Sequence, residues 1–247
     1  MNTWMTKNKI FLIGTVALIL LMPLLSSAKD LSQELAYSIM ECSNERLSAS
    51  EFVTQHDHIR ALLAQGASPD AIEKSTGKPA ILWTISNADL ESLKMLVDKG
   101  GNLDVENKGR DALTEAVDDV CSLKPASQSF EIFVYVSQKS TLVQKFGPKA
   151  LMAAAGQCRE DDIGLKVFSI LLKSGVDPNA SVPPINKKYF SPLVAAVKAN
   201  RPRFVKLLLE NKADVNAGES GVTPLSMAKH FGNTAIADVL IKAGAVK

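Results

Sequence analysis

The stretch from Ser191 to Lys247 states one structural unit twice: SPLVAAVKANRPRFVKLLLENKADVNA, then TPLSMAKHFGNTAIADVLIKAGAVK. Leu193 recurs as Leu225 and Leu208 as Leu240, both 32 residues on. A fixed period of that size calls for stacked units, each burying its apolar face against the next. In each copy a short helix is expected at Ser191-Pro192 or Thr223-Pro224. The hydroxyl there can cap free backbone N–H groups, and proline's preset φ fits the first helical position. A turn and a second helix follow, ending at Lys212-Ala213-Asp214-Val215-Asn216-Ala217 or Ala243-Gly244-Ala245.

The same unit can be traced back along the chain. Asp30-Leu31-Ser32-Gln33 has the form of a capping box, and Leu31, Leu35 and Ile39 follow at a helical spacing, which predicts a capping helix over 30–42. Repeat one covers 43–76: Leu47 to Leu62 matches the Leu193 to Leu208 interval, with a degenerate first helix before the ending Leu62 to Ala71. Repeat two, 77–108, carries Ile81, Leu96 and the ending Gly100-Gly101-Asn102-Leu103-Asp104. Repeat three, 109–146, opens with Asp111 to Val117, has a lengthened turn from Cys121 to Ser129, and lacks a glycine between Ser137 and Thr141. Repeat four, 147–187, has extra residues in the turn at Gln157 to Asp162 and a well-formed ending at Ser174 to Ala180. A longer hairpin, Val182 to Phe190, precedes the last two units, 188–219 and 220–247. Insertions of this kind map to loops, often on a working face.

The wording T/S-P-L…LL…GADVNA resembles the ankyrin repeat over roughly residues 43–247. The resemblance implies an all-α solenoid of about six helix-turn-helix repeats with short β-hairpin loops and an N-terminal capping helix. It also implies a concave face, made of hairpin tips and the outward residues of the first helices, that binds other proteins. A stack of rigid units extends one continuous surface, so little ordering cost attaches to binding.

Lys7 and Lys9 precede an apolar run from Ile10 to Leu25, and Ser26-Ser27-Ala28 supplies small residues before a cleavage point. Residues 1–28 therefore read as a secretory signal peptide, with an uncleaved anchor as the alternative, leaving 29–247 as the repeat domain, periplasmic and with no membrane span after cleavage. The whole chain has 28 basic and 26 acidic residues, and the leader holds two of the lysines and no carboxylate. The remainder is balanced, without the basic stripe that nucleic acid requires. An oxidising compartment makes Cys121 and Cys158 a candidate disulfide, since they lie in the lengthened turns of adjacent repeats, eight and seven residues after the equivalent Leu113 and Leu151. Cys42 is left over.

Residues that could carry chemistry are few. His56-Asp57-His58 has a metal-like look, but zinc needs three or four convergent ligands, and the register puts His58 against the core with His56 facing out. Ser75-Thr76-Gly77-Lys78 fits S-x-x-K and Lys173-Ser174-Gly175 fits K-S-G, yet Ser75 falls in a hairpin and Lys173 ends a helix, the wrong settings for a β-lactamase-type nucleophile. Gly77-Lys78 is followed by Pro79 where a phosphate-binding loop needs Ser or Thr. No catalytic, metal or cofactor set is assigned, and the chain is read as no enzyme.

Trp83 is expected to point into the stack, and Glu115 at the same place in repeat three has no evident partner. The two positions after the Ala196-Val197 pair should face outward. Copied across repeats, they include Ser86, Asn87, Asp118, Asp119, Gln157, Lys198 and His230, which with Tyr189 of the long hairpin form the candidate partner-binding set. The leading reading is a monomeric periplasmic scaffold that binds and restrains or protects a partner protein. It resembles exported bacterial ankyrin proteins, some of which neutralise toxins while others accompany periplasmic catalases. A secreted effector that binds a host protein and a hydrolase with an unrecognised site are the alternatives.

Overall fold

The structure, a computed structural model, describes residues 28–42, 47–122, 128–159, 162–180, 191–218 and 222–246. Among these, twelve helices pack in six pairs: α1 (Ala28–Glu41) with α2 (Ala49–Ala64), α3 (Ala80–Ser86) with α4 (Leu90–Asp98), α5 (Ala112–Val120) with α6 (Ser129–Ser137), α7 (Ser140–Gln157) with α8 (Asp162–Lys173), α9 (Pro192–Lys198) with α10 (Pro202–Glu210), and α11 (Pro224–His230) with α12 (Thr234–Lys242). Each first helix also packs on the first helix of the next pair, from α1 through to α11. The result is the all-α solenoid that the 32-residue period requires.

Local chemistry starts the helices where the repeat places them. Ser191 Oγ accepts the Val194 N–H at 3.2 Å, and Thr223 Oγ1 accepts the Ser226 N–H at 3.1 Å while Ser226 Oγ returns the favour to the Thr223 N–H at 2.8 Å. Asp111 does the same for α5, accepting the Thr114 N–H at 2.8 Å. Such caps satisfy donors that have no partner within the helix. The recurring leucine positions then form the core: Ile81, Leu113, Leu151, Leu193 and Leu225 on first helices, and Leu62, Leu96, Leu171, Leu208 and Leu240 on second helices, are each no more than 3% exposed. Phe168 and Phe204 stack across α8 and α10 with ring centroids 4.5 Å apart, and both are fully buried. Each contributes roughly 1.5–3 kcal/mol through burial.

Polar side chains in the repeat endings stitch neighbours together. Asp70 accepts the Asn102 N–H at 2.7 Å, Asn179 accepts the Asp214 N–H at 2.7 Å and donates to the Lys212 carbonyl at 3.0 Å, and Asn216 accepts the Val246 N–H at 2.9 Å. Between repeats two and three a hairpin forms from β1 (Glu106–Asn107) and β2 (Arg110–Asp111), with Glu106 opposite Asp111. Its two loop residues, Lys108 and Gly109, have φ of 51° and 76°, the mirror-image turn that matches strand twist. Asn107 ties this hairpin to the preceding one by donating to the Gly77 carbonyl at 2.7 Å.

Three expectations about the repeats need correction. The helix expected over 30–42 as a separate cap runs over Ala28–Glu41 and is the first helix of the first pair, with Asp30 inside it and Gln33 Nε2 donating to the Ile72 carbonyl at 2.7 Å. Ala49–Ala64 is one long second helix, started by a capping box between Ser48 and Glu51, so the degenerate first helix between Leu47 and Leu62 does not exist. Finally, the boundary placed at 146/147 falls inside α7, which runs through Gly147 and Pro148. The segment that should have been a hairpin is helical because Leu142, Val143, Phe146, Ala150 and Leu151 keep a helical apolar spacing and are all buried. The leader and the hairpin Val182 to Phe190, with Tyr189 in it, lie outside the described residues, apart from Ala28.

Candidate functional site

The candidate set sits at the C-terminal ends of the first helices, and its members differ in how far they are already engaged. In repeats two and three they belong to an internal polar cluster. Glu115 is buried on α5, where Oε1 accepts from Ser86 Oγ at 2.6 Å and Lys78 Nζ at 3.0 Å, and Oε2 accepts from Arg110 Nη1 at 3.0 Å. Burial alone would push the Glu115 carboxyl up, but the hydrogen bonds from Ser86 and Arg110 and the charge of Lys78 more than offset it and hold the pKa below its ordinary value. The same Arg110 nitrogen reaches Asp118 Oδ2 at 3.0 Å. Burial outweighs that cation at Asp118, whose carboxyl is raised instead. Lys78 also lies 4.6 Å from the centre of the Trp83 ring, so the half-buried tryptophan packs on the core below a cation. Asn87 donates to the Ile39 and Met40 carbonyls at 2.8 and 3.1 Å, closing the C-terminal end of α1.

Further along, Gln157, Lys198 and His230 are exposed at the ends of α7, α9 and α11. Lys198 and His230 stand in the last helical turn, where the helix dipole favours cations. Phe231, next to His230 and edge-on to it at 5.0 Å, is 44% exposed. The structure therefore divides the expected face in two. Ser86, Asn87 and Asp118 hold neighbouring elements together, Asp119 is half-buried beside them, and the exposed members, Gln157, Lys198 and His230, lie toward the C-terminal end, with Gln157 within reach of Asp118.

Other residues singled out in the sequence also find their places. Ser75 donates through Oγ to Glu73 Oε2 at 2.8 Å while Lys78 points to Glu115, so the S-x-x-K spacing does not bring a serine and a lysine together. Cys121 and Cys158 are disulfide-bonded, with Cα atoms 4.5 Å apart, joining the end of α5 to the end of α7. The predicted orientation of the two histidines is reversed. His56 is 3% exposed, with Nε2 at 2.9 Å from Asp89 Oδ1 and Nδ1 at 3.2 Å from Glu91 Oε2, whereas His58 is half-buried against Glu34 at 3.2 Å. Burial would lower the His56 pKa, but the two carboxylates on its ring more than offset it and raise the value. The inversion follows from the length of α2, which starts earlier than the other second helices and aims His56 at the N-terminus of α4. Asp89, 33 residues after His56, went unnoticed in the sequence, although one repeat length of separation was the available signal, and Cys42 was read only as the leftover thiol.

Two hollows bear on what this surface can hold. One beside Cys121 and Cys158 has a volume of about 20 Å³, and one between Ser137, Gln144 and Ser174 about 230 Å³. Both fall below the roughly 300–1,000 Å³ of small-molecule sites. No helix among the described residues is long and apolar enough to cross a membrane.

Comparison with known proteins points the same way. The family model "Ankyrin repeats (3 copies)" matches residues 151–247. The ankyrin repeat and KH domain-containing protein mask-1 of Caenorhabditis elegans is 27% identical over 76% of this chain and 6% of its own length. The human transient receptor potential cation channel subfamily A member 1 is 27% identical over 83% of this chain and 18% of its own. A putative ankyrin repeat protein of Rickettsia felis is 28% identical over 76% of this chain and 46% of its own. The chain thus spans less than half the length of each of these relatives. Among solved structures, an ankyrin repeat domain from Acinetobacter baumannii AYE superposes with a TM-score of 0.64 at 20% identity, covering 86% of this chain and 98% of that one. The ankyrin repeat domain of Bcl-3, a member of the IkappaB protein family, gives 0.64 at 21% identity and covers 86% of each chain. With its helix pairs stacked at a 32-residue period, the chain has the ankyrin-repeat fold, and its units from 151 to 247 match the ankyrin family model.

Proposed function

We propose that the chain is a non-enzymatic scaffold, exported to the periplasm, that binds and restrains or protects a partner protein. The observation that carries this reading is the row of first-helix ends, held rigid by the stack, on which exposed Gln157, Lys198, His230 and Phe231 follow one another across repeats four to six. A polar stretch closing on an aromatic suits a protein surface, and aromatic side chains are enriched at interface centres. Export rests on the Lys7-Lys9 leader, its apolar run and Ser26-Ser27-Ala28. The candidate disulfide belongs to the same reading, because such bonds persist in an oxidising compartment.

The test has two arms. Fractionation with N-terminal sequencing should find mature protein starting at Lys29 in the periplasm, and full-length chain retained in the membrane would remove the location. Crosslinking there should trap a protein partner. The triple variant Gln157→Arg, Lys198→Glu, His230→Glu should lose that adduct while its stability stays within about 0.5 kcal/mol, as exposed positions generally allow. An undiminished adduct would exclude this face.

A further inference from the structure

At the N-terminal end of the stack, three side chains from separate elements converge. Cys42 follows α1, His56 lies in α2, and Asp89 caps α4 by accepting the Ser92 N–H at 3.0 Å. One donor atom from each lies within 4.8 Å of the others, and all three residues are at most 3% exposed. Asp89 Oδ1 takes both His56 and the Ser92 N–H, whereas Oδ2 is buried and makes no hydrogen bond among the described residues. A buried carboxylate is costly unless it is paired, and Asp89 is set between the His56 ring and the Cys42 thiol in one buried cluster.

From this geometry we infer that Cys42, His56 and Asp89 form a zinc site that ties the first helix pair to the second. Thiolate, imidazole and carboxylate are the three donor types zinc takes from proteins, and oxygen-preferring Ca²⁺ and Mg²⁺ do not use the first two. Bonds of about 2.0–2.3 Å in a tetrahedron place donor atoms roughly 3.3–3.7 Å apart. The 2.9 Å His56–Asp89 contact then opens by about half an ångström as Nε2 turns from Oδ1 to the metal. The thiol proton of Cys42 and any proton on His56 Nε2 leave to solvent, so one thiolate and one carboxylate balance the dication. Water takes the fourth position, the pattern of zinc sites with three protein ligands. Glu91 completes the arrangement from outside. Its Oε2 lies 3.2 Å from His56 Nδ1, where a carboxylate fixes the tautomer of a metal-bound imidazole.

Cobalt is the probe, because Co²⁺ bound by a thiolate in a tetrahedral site shows intense visible bands and a sulfur-to-metal charge-transfer band. The full chain, with Cys121 and Cys158 left paired, is stripped with chelator and titrated with Co²⁺ without reductant. One equivalent should develop both bands, and Zn²⁺ should abolish them. Cys42→Ser should lose the charge-transfer band. Glu91→Gln changes a residue whose side chain is 54% exposed, so it folds, and it should weaken zinc binding about 10–100-fold. Absence of the bands in the folded parent, a charge-transfer band that survives in Cys42→Ser, or unchanged zinc affinity in Glu91→Gln would each overturn the site.

Discussion

Lys212 shows what a single residue costs when the repeat asks for glycine. Four of the other five second helices end on glycine, Gly66, Gly100, Gly175 and Gly244, with φ of 96°, 87°, 86° and 95°, and Lys212 stands in that place at φ 67°. A side chain there crowds the backbone, so Lys212→Gly should stabilise the protein by about 0.5–1 kcal/mol and raise Tm by a few degrees in calorimetry, and no gain would refute the strain. Glu73 is a second local case. It accepts from the Ser75 N–H at 2.7 Å, the Thr76 N–H at 2.8 Å and both hydroxyls, and these bonds lower its carboxyl from the ordinary 4.5 to about 2. A depressed acid stabilises the fold at pH values above the unfolded pKa, and the benefit disappears as pH falls from 4.5 toward 2. Denaturant melts should therefore show wild type more stable than Glu73→Gln at pH 6 and the gap closing toward pH 2, and a gap independent of pH would refute the role. Neither effect was legible in the sequence, since one depends on a dihedral angle and the other on hydroxyls folding back across a turn.

At the level of elements, legibility followed how closely each unit kept the repeat pattern. The caps at Ser191 and Thr223 and the leucine ladder were readable because proline, hydroxyl and apolar spacing all agree there. Helix α7 was not, because Gly147-Pro148 looks like a break, whereas tertiary burial of Phe146, Ala150 and Leu151 carries the helix through it. Glu115 was opaque for a similar reason: its partners Lys78 and Arg110 come from two different hairpins. That Ser86 and Asn87 bond to neighbouring helices was not legible, because register alone cannot tell an outward side chain from one that reaches a neighbour. The disulfide yields a prediction at this scale. Cys121 and Cys158 are 37 residues apart, and closing a loop of that length limits the unfolded chain by about 3–4 kcal/mol in the entropic model. Replacing both cysteines by serine should lower stability by a comparable amount, and mass spectrometry of the unreduced protein should find Cys42 as the sole free thiol. Unchanged stability, or three free thiols, would count against the bond.

Across the whole molecule, the row of inter-repeat hydrogen bonds is continuous from Asp70 to Asn107 and again from Asn179 to Val246, but α7 replaces the hairpin between them. The covalent bond from the end of α5 to the end of α7 spans that interval. In a stack where each unit touches only its neighbours, tension applied at the two ends passes through every interface in series. The bridge takes the chain between Cys121 and Cys158 out of the load path. Held between a surface and a cantilever and pulled until no structure is left, the oxidised molecule should extend about 120–130 Å less than the reduced one, the stretched length of 37 residues at roughly 3.3–3.6 Å each. Equal extensions in the two redox states would mean that the bridge bears no force. A difference of that size would make the middle of this solenoid a stretch-limited link, with the terminal repeats left to act as its yielding springs.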